Sequence, residues 1–197
     1  MRLARGCNRC GLQQRIIWGI GPVPARIMLI GEAPGENEAR AGKPFVGKSG
    51  KELDYILARA GIQREDIYVT NIVKCRPDKN RDPSDVEIAG CSEWLREELR
   101  RVQPRFIVTV GRIATQYFLE GSTMEQTHGL PFLMPEGDVI IPVYHPAYGL
   151  HSPEKMLLVQ ADFEAVGEIV AGKRPLISPV DEWAGKEDYG EIVNEDV

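Results

Sequence analysis

The feature that most constrains the fold of this chain is an alternation of short apolar runs with longer amphipathic stretches. Four runs are rich in β-branched residues and are predicted to be strands, at residues 26–30, 66–73, 105–110 and 139–144. Helical periodicity marks four longer segments, at residues 48–60, 84–102, 112–119 and 153–171. Strands that alternate with helices form right-handed βαβ units. The sequence therefore predicts an α/β fold with three layers (αβα), whose central layer is a four-stranded, mostly parallel sheet.

Length and composition fit one domain of this kind with a short tail. The chain has 197 residues, of which 43% are hydrophobic, as in ordinary globular domains. Residues 1–174 are predicted to form the domain, and residues 175–197 an extended or disordered acidic tail. No apolar run is long enough to span a bilayer, and no apolar signal-peptide segment follows the basic residues at the start. We therefore expect a cytoplasmic monomer with no membrane partner.

The distribution of charge leaves a nucleic-acid partner open. The formal net charge is −5, which by itself argues against DNA binding. Residues 175–197 contribute −6, from seven acids and one base, so the rest of the chain carries +1. Residues 1–26 hold five arginines and no acid. A near-neutral body with a basic N-terminal segment is compatible with DNA binding.

The four cysteines have the spacing of a metal site. Cys7 and Cys10 form a CxxC pair, and 15 residues separate Cys75 from Cys91. In a cytosolic chain, four cysteines indicate metal binding more than disulfides. A CxxC turn supplies two thiolates to zinc or to an iron–sulfur cluster, and the spacing alone does not choose between them.

Polar clusters follow three of the predicted strands. They occupy residues 31–35, 71–81 and 145–151. In a parallel sheet, the loops after the carboxyl ends of the strands meet at one edge, where ligands bind. The sequence therefore predicts a functional site at this edge.

The order of motifs along the chain resembles one known family. The motifs are GEAPG at residues 31–35, GKPFVG at 42–47, NIVKCRP at 71–77, the spacing of Cys75 and Cys91, and HPAY at 145–148. Together they resemble the family 4 uracil-DNA glycosylases. The resemblance implies a [4Fe–4S] cluster held by Cys7, Cys10, Cys75 and Cys91. It also implies that the protein flips uracil out of single- or double-stranded DNA and hydrolyses its N-glycosidic bond, leaving an abasic site in base-excision repair.

Three residues are expected to bind the base. Phe45, in a loop flanked by glycines, is the candidate stacking ring. Asn71, at a strand end, offers one donor and one acceptor, which fit O4 and N3–H of uracil. His145, held by the proline that follows it, is expected to donate to uracil O2 and to stabilise charge as the bond breaks. Asn71 and His145 are therefore candidate catalytic as well as substrate-binding residues.

Glu32, inside the first motif, is the third candidate catalytic residue. Bond cleavage leaves a positively charged sugar that water must attack, and a carboxylate can stabilise this cation or orient the water. Glu36 and Glu38 rank behind Glu32. The backbone N–H groups near Gly31 and Ala33 are expected to bind uracil or phosphate.

DNA contacts are expected from two loops. The basic side chains after the second predicted strand are those of Lys74, Arg76, Lys79 and Arg81. In the family, a leucine-rich loop with the pattern HPSYLLR enters the duplex, whereas this chain has glycine at position 149 and histidine at position 151. Tyr148 and Leu150 are therefore the candidate wedge residues.

Other functions explain fewer of these residues. A non-catalytic protein of the same fold that binds damaged DNA is the main alternative, and the presence of Glu32, Asn71 and His145 argues against it. An electron-transfer iron–sulfur protein would need the cysteines but not the base-binding set. No lysine is placed as a lyase nucleophile, and no insertion with a nucleophilic histidine lies between residues 74 and 82. We therefore expect a monofunctional hydrolase.

Overall fold

A parallel sheet forms the centre of the protein, whose computed structural model describes Leu12, residues 15–177 and residues 192–193. The strands are β1 Ile27–Gly31, β2 Ile67–Asn71, β3 Phe106–Val110, β4 Phe132–Leu133, β5 Val139–Val143, β6 Leu176–Ile177 and β7 Ile192–Val193. Their order in the sheet is β2-β1-β3-β5-β4-β6-β7. Strands β2, β1, β3 and β5 pair in parallel, as predicted. The predicted count of four strands is too low, because three two-residue strands extend the sheet beyond β5.

The helices in the described part of the chain lie between these strands. They are α1 Glu36–Ala41, α2 Lys48–Arg59, α3 Asp85–Val102, α4 Arg112–Phe118, α5 Met124–Thr127 and α6 Pro153–Val170. Short 3₁₀ turns occupy Arg64–Asp66, Asp78–Asn80 and Pro146–Tyr148. Helices α2, α3, α4 and α6 confirm the four predicted segments. Helices α1 and α5 are one or two turns long, too short to produce an apolar periodicity in the sequence.

Two apolar layers cover the sheet, because alternate side chains of each strand point to opposite faces. On one face, α2 and α6 pack against side chains that include Leu29, Val69, Val108 and Ile141. On the other face, α3 and α4 pack against side chains that include Met28, Ile30, Ile107 and Ile140. The predicted αβα arrangement is confirmed.

The loops after β1 and β2 are joined to each other. Beyond the end of β2, the backbone N–H of Ile72 donates to Gly31 O at 2.8 Å, and that of Val73 donates to Glu32 O at 2.9 Å. Strand β2 was predicted to extend to residue 73. It ends at Asn71, and the next two residues tie the first polar loop to the second. This join fixes both loops at the carboxyl edge of the sheet.

Strands β6 and β7 fall in the segment 175–197, which was predicted to be an extended or disordered tail. They pair in antiparallel fashion, and β6 also pairs with β4. Residues 178–191 and 194–197, like Cys7 and Cys10, lie outside the described residues. No helix in the described part of the chain combines the length and apolar character needed to cross a membrane.

Candidate active site

A cavity of about 400 Å³ lies at the carboxyl edge of the sheet. Five of the residues singled out from the sequence for the base pocket line it: Glu32, Ala33, Phe45, Asn71 and His145. They come from the loops after β1, β2 and β5 and from the turn before α2. The sheet therefore brings together side chains that are up to 113 positions apart in the chain, from residue 32 to residue 145.

Gly31 lies where the Phe45 ring and the Asn71 amide converge. A Cβ atom at position 31 would lie 2.5 Å from Phe45 Cζ and 2.6 Å from Asn71 Oδ1. Real Cβ contacts are longer than this, so a side chain at position 31 would displace both groups. Gly31 therefore belongs to the predicted site because it leaves room for the ring and the amide, not because of a group of its own.

The loop that carries Phe45 is held by Glu38, whose contribution sequence reasoning missed. Glu38 Oε1 accepts the backbone N–H of Val46 at 3.0 Å and that of Gly47 at 2.7 Å. Phe45 itself has a φ of 52°, a left-handed conformation that is uncommon outside glycine. The first turn of α2 closes on this loop at Gly50, where a Cβ would lie 2.1 Å from Phe45 O. These contacts hold the buried ring of Phe45 against the cavity.

Asn71 ends β2 and is buried, with 3% of its surface exposed. Parallel pairing sets Asn71 directly opposite Gly31 of β1. The carbonyl oxygen of Asn71 accepts a hydrogen bond from Lys74 Nζ at 2.6 Å. The strand register and this bond fix the backbone from which the Asn71 amide projects into the cavity.

His145 is a neutral hydrogen-bond donor in this structure. Its Nδ1 accepts the backbone N–H of Ala147 at 3.1 Å, so the ring proton is on Nε2. Burial lowers the pKa of His145, and the charge of Glu38 opposes this only in part. The ring faces that of Phe45, with centroids 6.3 Å apart and planes inclined by 29°. The Nε2–H is thus available to an acceptor atom of a ligand.

Asp162 supports the chain just before His145. It accepts Tyr144 N–H through Oδ2 at 2.8 Å, while Oδ1 lies 2.7 Å from Nδ1 of His128. Asp162 is buried in α6, and its contact gives His128 a structural role. Sequence reasoning had no signal for this pair, because the two residues are 34 positions apart.

Glu32 is a partly buried carboxylate with charged neighbours. Burial raises its pKa, as does the negative charge of Asp82, whereas the positive charge of Arg112 lowers it. Arg112 Nη2 lies 2.6 Å from Asp82 Oδ2, so the two form an ion pair near Glu32. Arg112 follows β3, whose loop was not singled out from the sequence, and it brings a cation to the same edge of the sheet.

The prediction that Lys74 contacts DNA is wrong. Its side chain is fully buried, and its Nζ lies 2.5 Å from Oε2 of Glu98. A side chain without exposed surface cannot reach a phosphate.

The other three basic residues of this loop lie at the rim of the cavity or beside it. Arg81 lines the cavity and donates two hydrogen bonds to Glu87, at 2.8 and 2.6 Å. These bonds lower the pKa of Glu87 to about 2. Arg76 Nε donates to Asn80 Oδ1 at 2.7 Å, and Lys79 is exposed. Arg76, Lys79 and Arg81 remain candidate DNA contacts.

The candidate wedge lies in the turn after His145. The exposed ring of Tyr148 stacks on Tyr144 with centroids 4.7 Å apart, and Lys155 Nζ lies 4.5 Å from the ring centroid. Leu150 is partly exposed. A Cβ at Gly149 would lie 2.7 Å from Met156 Cα. The close approach of α6 accounts for the glycine.

The described cysteines fit one half of a metal site. Cys75 and Cys91 are buried, and Cys91 Sγ accepts the backbone N–H of Lys74 at 3.5 Å. Ile17 N–H donates to Lys74 O at 2.7 Å, which brings the N-terminal segment to this loop. Leu12 packs against the apolar cluster that contains Cys91. No group of three or more metal-binding side chains occurs among the described residues, which exclude Cys7 and Cys10.

Chain length allows the other two cysteines to reach this place. Cys10 is two residues from Leu12, and an extended chain spans roughly 3.3–3.6 Å per residue. Buried thiols and backbone N–H···S bonds suit an iron–sulfur or zinc–thiolate centre. The burial of Cys75 and Cys91 and the N–H···S contact of Cys91 therefore fit a metal–thiolate site of the kind predicted from the sequence.

An α/β domain that gathers an aromatic ring, an amide, an imidazole and a carboxylate in one edge cavity is built to bind a planar heterocycle and act on it. The family model described as "Uracil DNA glycosylase superfamily" matches residues 18–168, and the chain belongs to this superfamily.

Relatives with the name type-4 uracil-DNA glycosylase cover most of the chain. The protein of Archaeoglobus fulgidus is 36% identical over 90% of this chain and 94% of its own length. That of Saccharolobus solfataricus is 37% identical over 86% of this chain and 84% of its own. That of Thermotoga maritima is 38% identical over 80% of this chain and 86% of its own. A type-5 uracil-DNA glycosylase of Pyrobaculum aerophilum is 33% identical over 66% of this chain and 67% of its own.

Proposed function

We propose that this protein is a monofunctional uracil-DNA glycosylase of DNA repair, which hydrolyses the N-glycosidic bond of uracil and leaves an abasic site. The observation that carries the proposal is the convergence of Phe45, Asn71, His145 and Glu32 on one cavity at the sheet edge. Membership of the superfamily and the similarity to proteins named type-4 uracil-DNA glycosylase support the choice of substrate.

Uracil enters the cavity after it leaves the base stack. An enzyme that acts on a base in DNA extrudes the nucleotide and reads it against an aromatic surface. Phe45 supplies this surface. The Asn71 amide donates from Nδ2 to uracil O4 and accepts uracil N3–H at Oδ1. Cytosine presents the reverse pattern at these two positions and is therefore disfavoured.

His145 stabilises the base as it departs. Negative charge develops on uracil O2 when the glycosidic bond breaks, and a neutral donor placed at that atom lowers the barrier. The contact of Nδ1 with Ala147 N–H directs the remaining ring proton, on Nε2, toward the cavity. The ring therefore acts without gaining or losing a proton.

Glu32 stabilises the sugar cation or orients the attacking water. Its ionised form performs either role, because both depend on the negative charge. The nearby cation of Arg112 favours this form, which offsets part of the effect of burial on the pKa of Glu32.

Cys7, Cys10, Cys75 and Cys91 are proposed to hold a [4Fe–4S] cluster. The cluster would supply a structural cross-link between the N-terminal segment, the loop after β2 and helix α3. The buried positions of Cys75 and Cys91 and the N–H···S bond from Lys74 support this assignment. Iron and acid-labile sulfide in the purified protein would support the assignment of a cluster, whereas stoichiometric zinc would show that the site binds zinc instead.

DNA is proposed to lie across the rim of the cavity. Arg76, Lys79 and Arg81 supply phosphate contacts, and Tyr148 with Leu150 fills the space that the base leaves. Phosphate contacts make affinity fall with salt concentration, so binding should weaken steeply between low and high salt. The monomeric state and the cytoplasmic location stay predictions.

The proposal is tested by release of uracil from oligonucleotides. Wild type is incubated with single-stranded, U:A and U:G substrates, and Glu32→Gln is compared with Glu120→Gln, which changes an exposed glutamate in the same way. We expect release by wild type and Glu120→Gln and a large loss for Glu32→Gln. Binding of uracil-containing DNA without release would favour the non-catalytic binding protein. Equal rates for all three proteins would overturn the role of Glu32.

A further inference from the structure

Lys74 and Glu98 form a buried ion pair next to Asn71, which lines the candidate active site. Their side chains are 1% and 4% exposed, and Nζ lies 2.5 Å from Oε2. Lysine is almost never buried in this way unless it is paired. The Lys74 ammonium has two further acceptors, Asn71 O at 2.6 Å and Thr70 Oγ1 at 2.7 Å. Its three donors are therefore all engaged, and one of them holds the final peptide of β2.

Glu98 joins this pair to the segment before β1 and to two side chains of β2. Its Oε1 accepts Gly19 N–H at 2.9 Å and the Tyr68 hydroxyl at 3.2 Å. Its Oε2 accepts the Thr70 hydroxyl at 2.8 Å, in addition to the Lys74 ammonium. The carboxylate is thus fully used, and it fixes the position of the ammonium relative to β2 and α3. A charged group held this way cannot drift without breaking several buried bonds.

The backbone of Lys74 reaches the cysteine site. Its N–H donates to Cys91 Sγ at 3.5 Å, and its carbonyl accepts Ile17 N–H at 2.7 Å. The same residue thus contacts a proposed metal ligand through its main chain and Asn71 through its side chain. The four residues from Asn71 to Lys74 form a loop that the side-chain contact of Lys74 with Asn71 O closes.

We propose that Lys74 and Glu98 are a positioning pair for Asn71. The pair holds the Asn71 amide at the angle needed to read uracil. The inference rests on the proposed function, because it assumes that Asn71 reads the base. Neither residue touches the substrate. Their effect is on the orientation of the strand end from which the amide projects, and hence on the chemical step. Because both side chains are buried, affinity for DNA does not depend on them.

The test is the double variant Lys74→Met/Glu98→Gln. It removes the ammonium and both charges, while glutamine still accepts Gly19 N–H and the Tyr68 hydroxyl. A misplacement of about 1 Å at a catalytic group can lower a rate by about 100-fold. We therefore expect a 10- to 100-fold slower single-turnover release of uracil, with DNA affinity within twofold of wild type. Thr115→Val, which removes a buried hydroxyl elsewhere, is the matched control and should keep the wild-type rate.

A double-mutant cycle with Asn71→Ala separates positioning from a general structural effect. If the pair acts through the amide, the double variant loses no further rate once the amide is gone. The same loss in the presence and absence of Asn71 would overturn the proposal, as would a rate within twofold of wild type. Loss of DNA affinity in proportion to rate would also overturn it. Melting temperature and visible absorption of the variant show whether the fold and the metal site are retained.

A second variant and a spectroscopic measurement cover the remaining outcomes. Thr70→Val keeps both charges and removes the hydroxyl between them, so it replaces the double variant if that protein does not fold, with a smaller loss expected. The side-chain NH₂ resonances of Asn71, assigned by their absence in Asn71→Ala, should shift or broaden in either variant. Unchanged resonances would refute the positioning role. This holds whether or not wild type releases uracil, and a wild type that releases no uracil would separately refute the proposed function.

Discussion

Substitution of Gly31 by alanine tests the geometry of the base pocket at its tightest point. The added Cβ would lie 2.5 Å from Phe45 Cζ and 2.6 Å from Asn71 Oδ1. Non-bonded heavy atoms are comfortable at about 3.5 Å, so the ring and the amide must each move by about 1 Å. Gly31 has no positive φ, so alanine is not disfavoured by the backbone.

The size of the effect follows from that displacement. A shift of about 1 Å in a positioned group can lower a rate by about 100-fold, which equals about 2.7 kcal/mol of transition-state stabilisation. We expect Gly31→Ala to slow uracil release by about this factor under single-turnover conditions with enzyme in excess. Affinity for undamaged DNA should not change, because Gly31 is buried against Phe45 and Asn71.

The control is Gly61→Ala, which separates loss of stability from loss of geometry. Gly61 has a φ of +73°, and a Cβ added there would have no neighbouring atom within 4 Å. Alanine at position 61 therefore strains the backbone but displaces no side chain of the base pocket. A left-handed alanine costs about 1–2 kcal/mol of stability. Gly61→Ala should therefore melt earlier than wild type and release uracil at the wild-type rate. A Gly31→Ala rate within threefold of wild type would refute the proposed arrangement of Phe45 and Asn71.

Three further predictions concern single side chains. Asn71→Asp should gain release of cytosine, because a protonated carboxyl can present the reverse donor pattern. Release is measured on cytosine-containing strands, and no gain over wild type would count against the role of Asn71 in reading the base. Burial lowers the pKa of His145, so the decline in uracil release as pH falls should be centred below 6.5; a decline centred at or above 6.5 would contradict this. Cys75→Ser should lower bound iron and the melting temperature, and unchanged iron would exclude Cys75 as a ligand.

The sequence was sufficient for the central sheet and its main helices. Their apolar runs are long enough to show a period, and the order of strands and helices determines a parallel sheet. The two-residue strands β4, β6 and β7 could not be predicted in this way, because a pair of residues has no period. They exist through pairing with β5 and with one another, which is a tertiary effect.

Glu32, Asn71 and His145 were predictable because each lies at or just after the carboxyl end of a strand of a parallel sheet, whereas Phe45 was singled out from the glycines that flank its loop. The contacts that hold these residues were not predictable. Glu38 binds N–H groups eight and nine positions away, and Lys74 pairs with a carboxylate 24 positions away. Such contacts depend on where the loops and α3 come to lie. Charge alone indicated a surface role for Lys74, whereas the partner that makes its burial possible is visible only in the fold.

The most direct test of the central claim is a product measurement with wild type and Asn71→Ala on a uracil-containing strand in excess over enzyme. Free uracil and abasic sites are quantified together over many turnovers. We predict that wild type forms both in equal amounts and beyond the amount of enzyme, and that Asn71→Ala forms far less of each. Uracil that remains attached to DNA, or release that stops after one equivalent of enzyme, would contradict hydrolysis at this cavity.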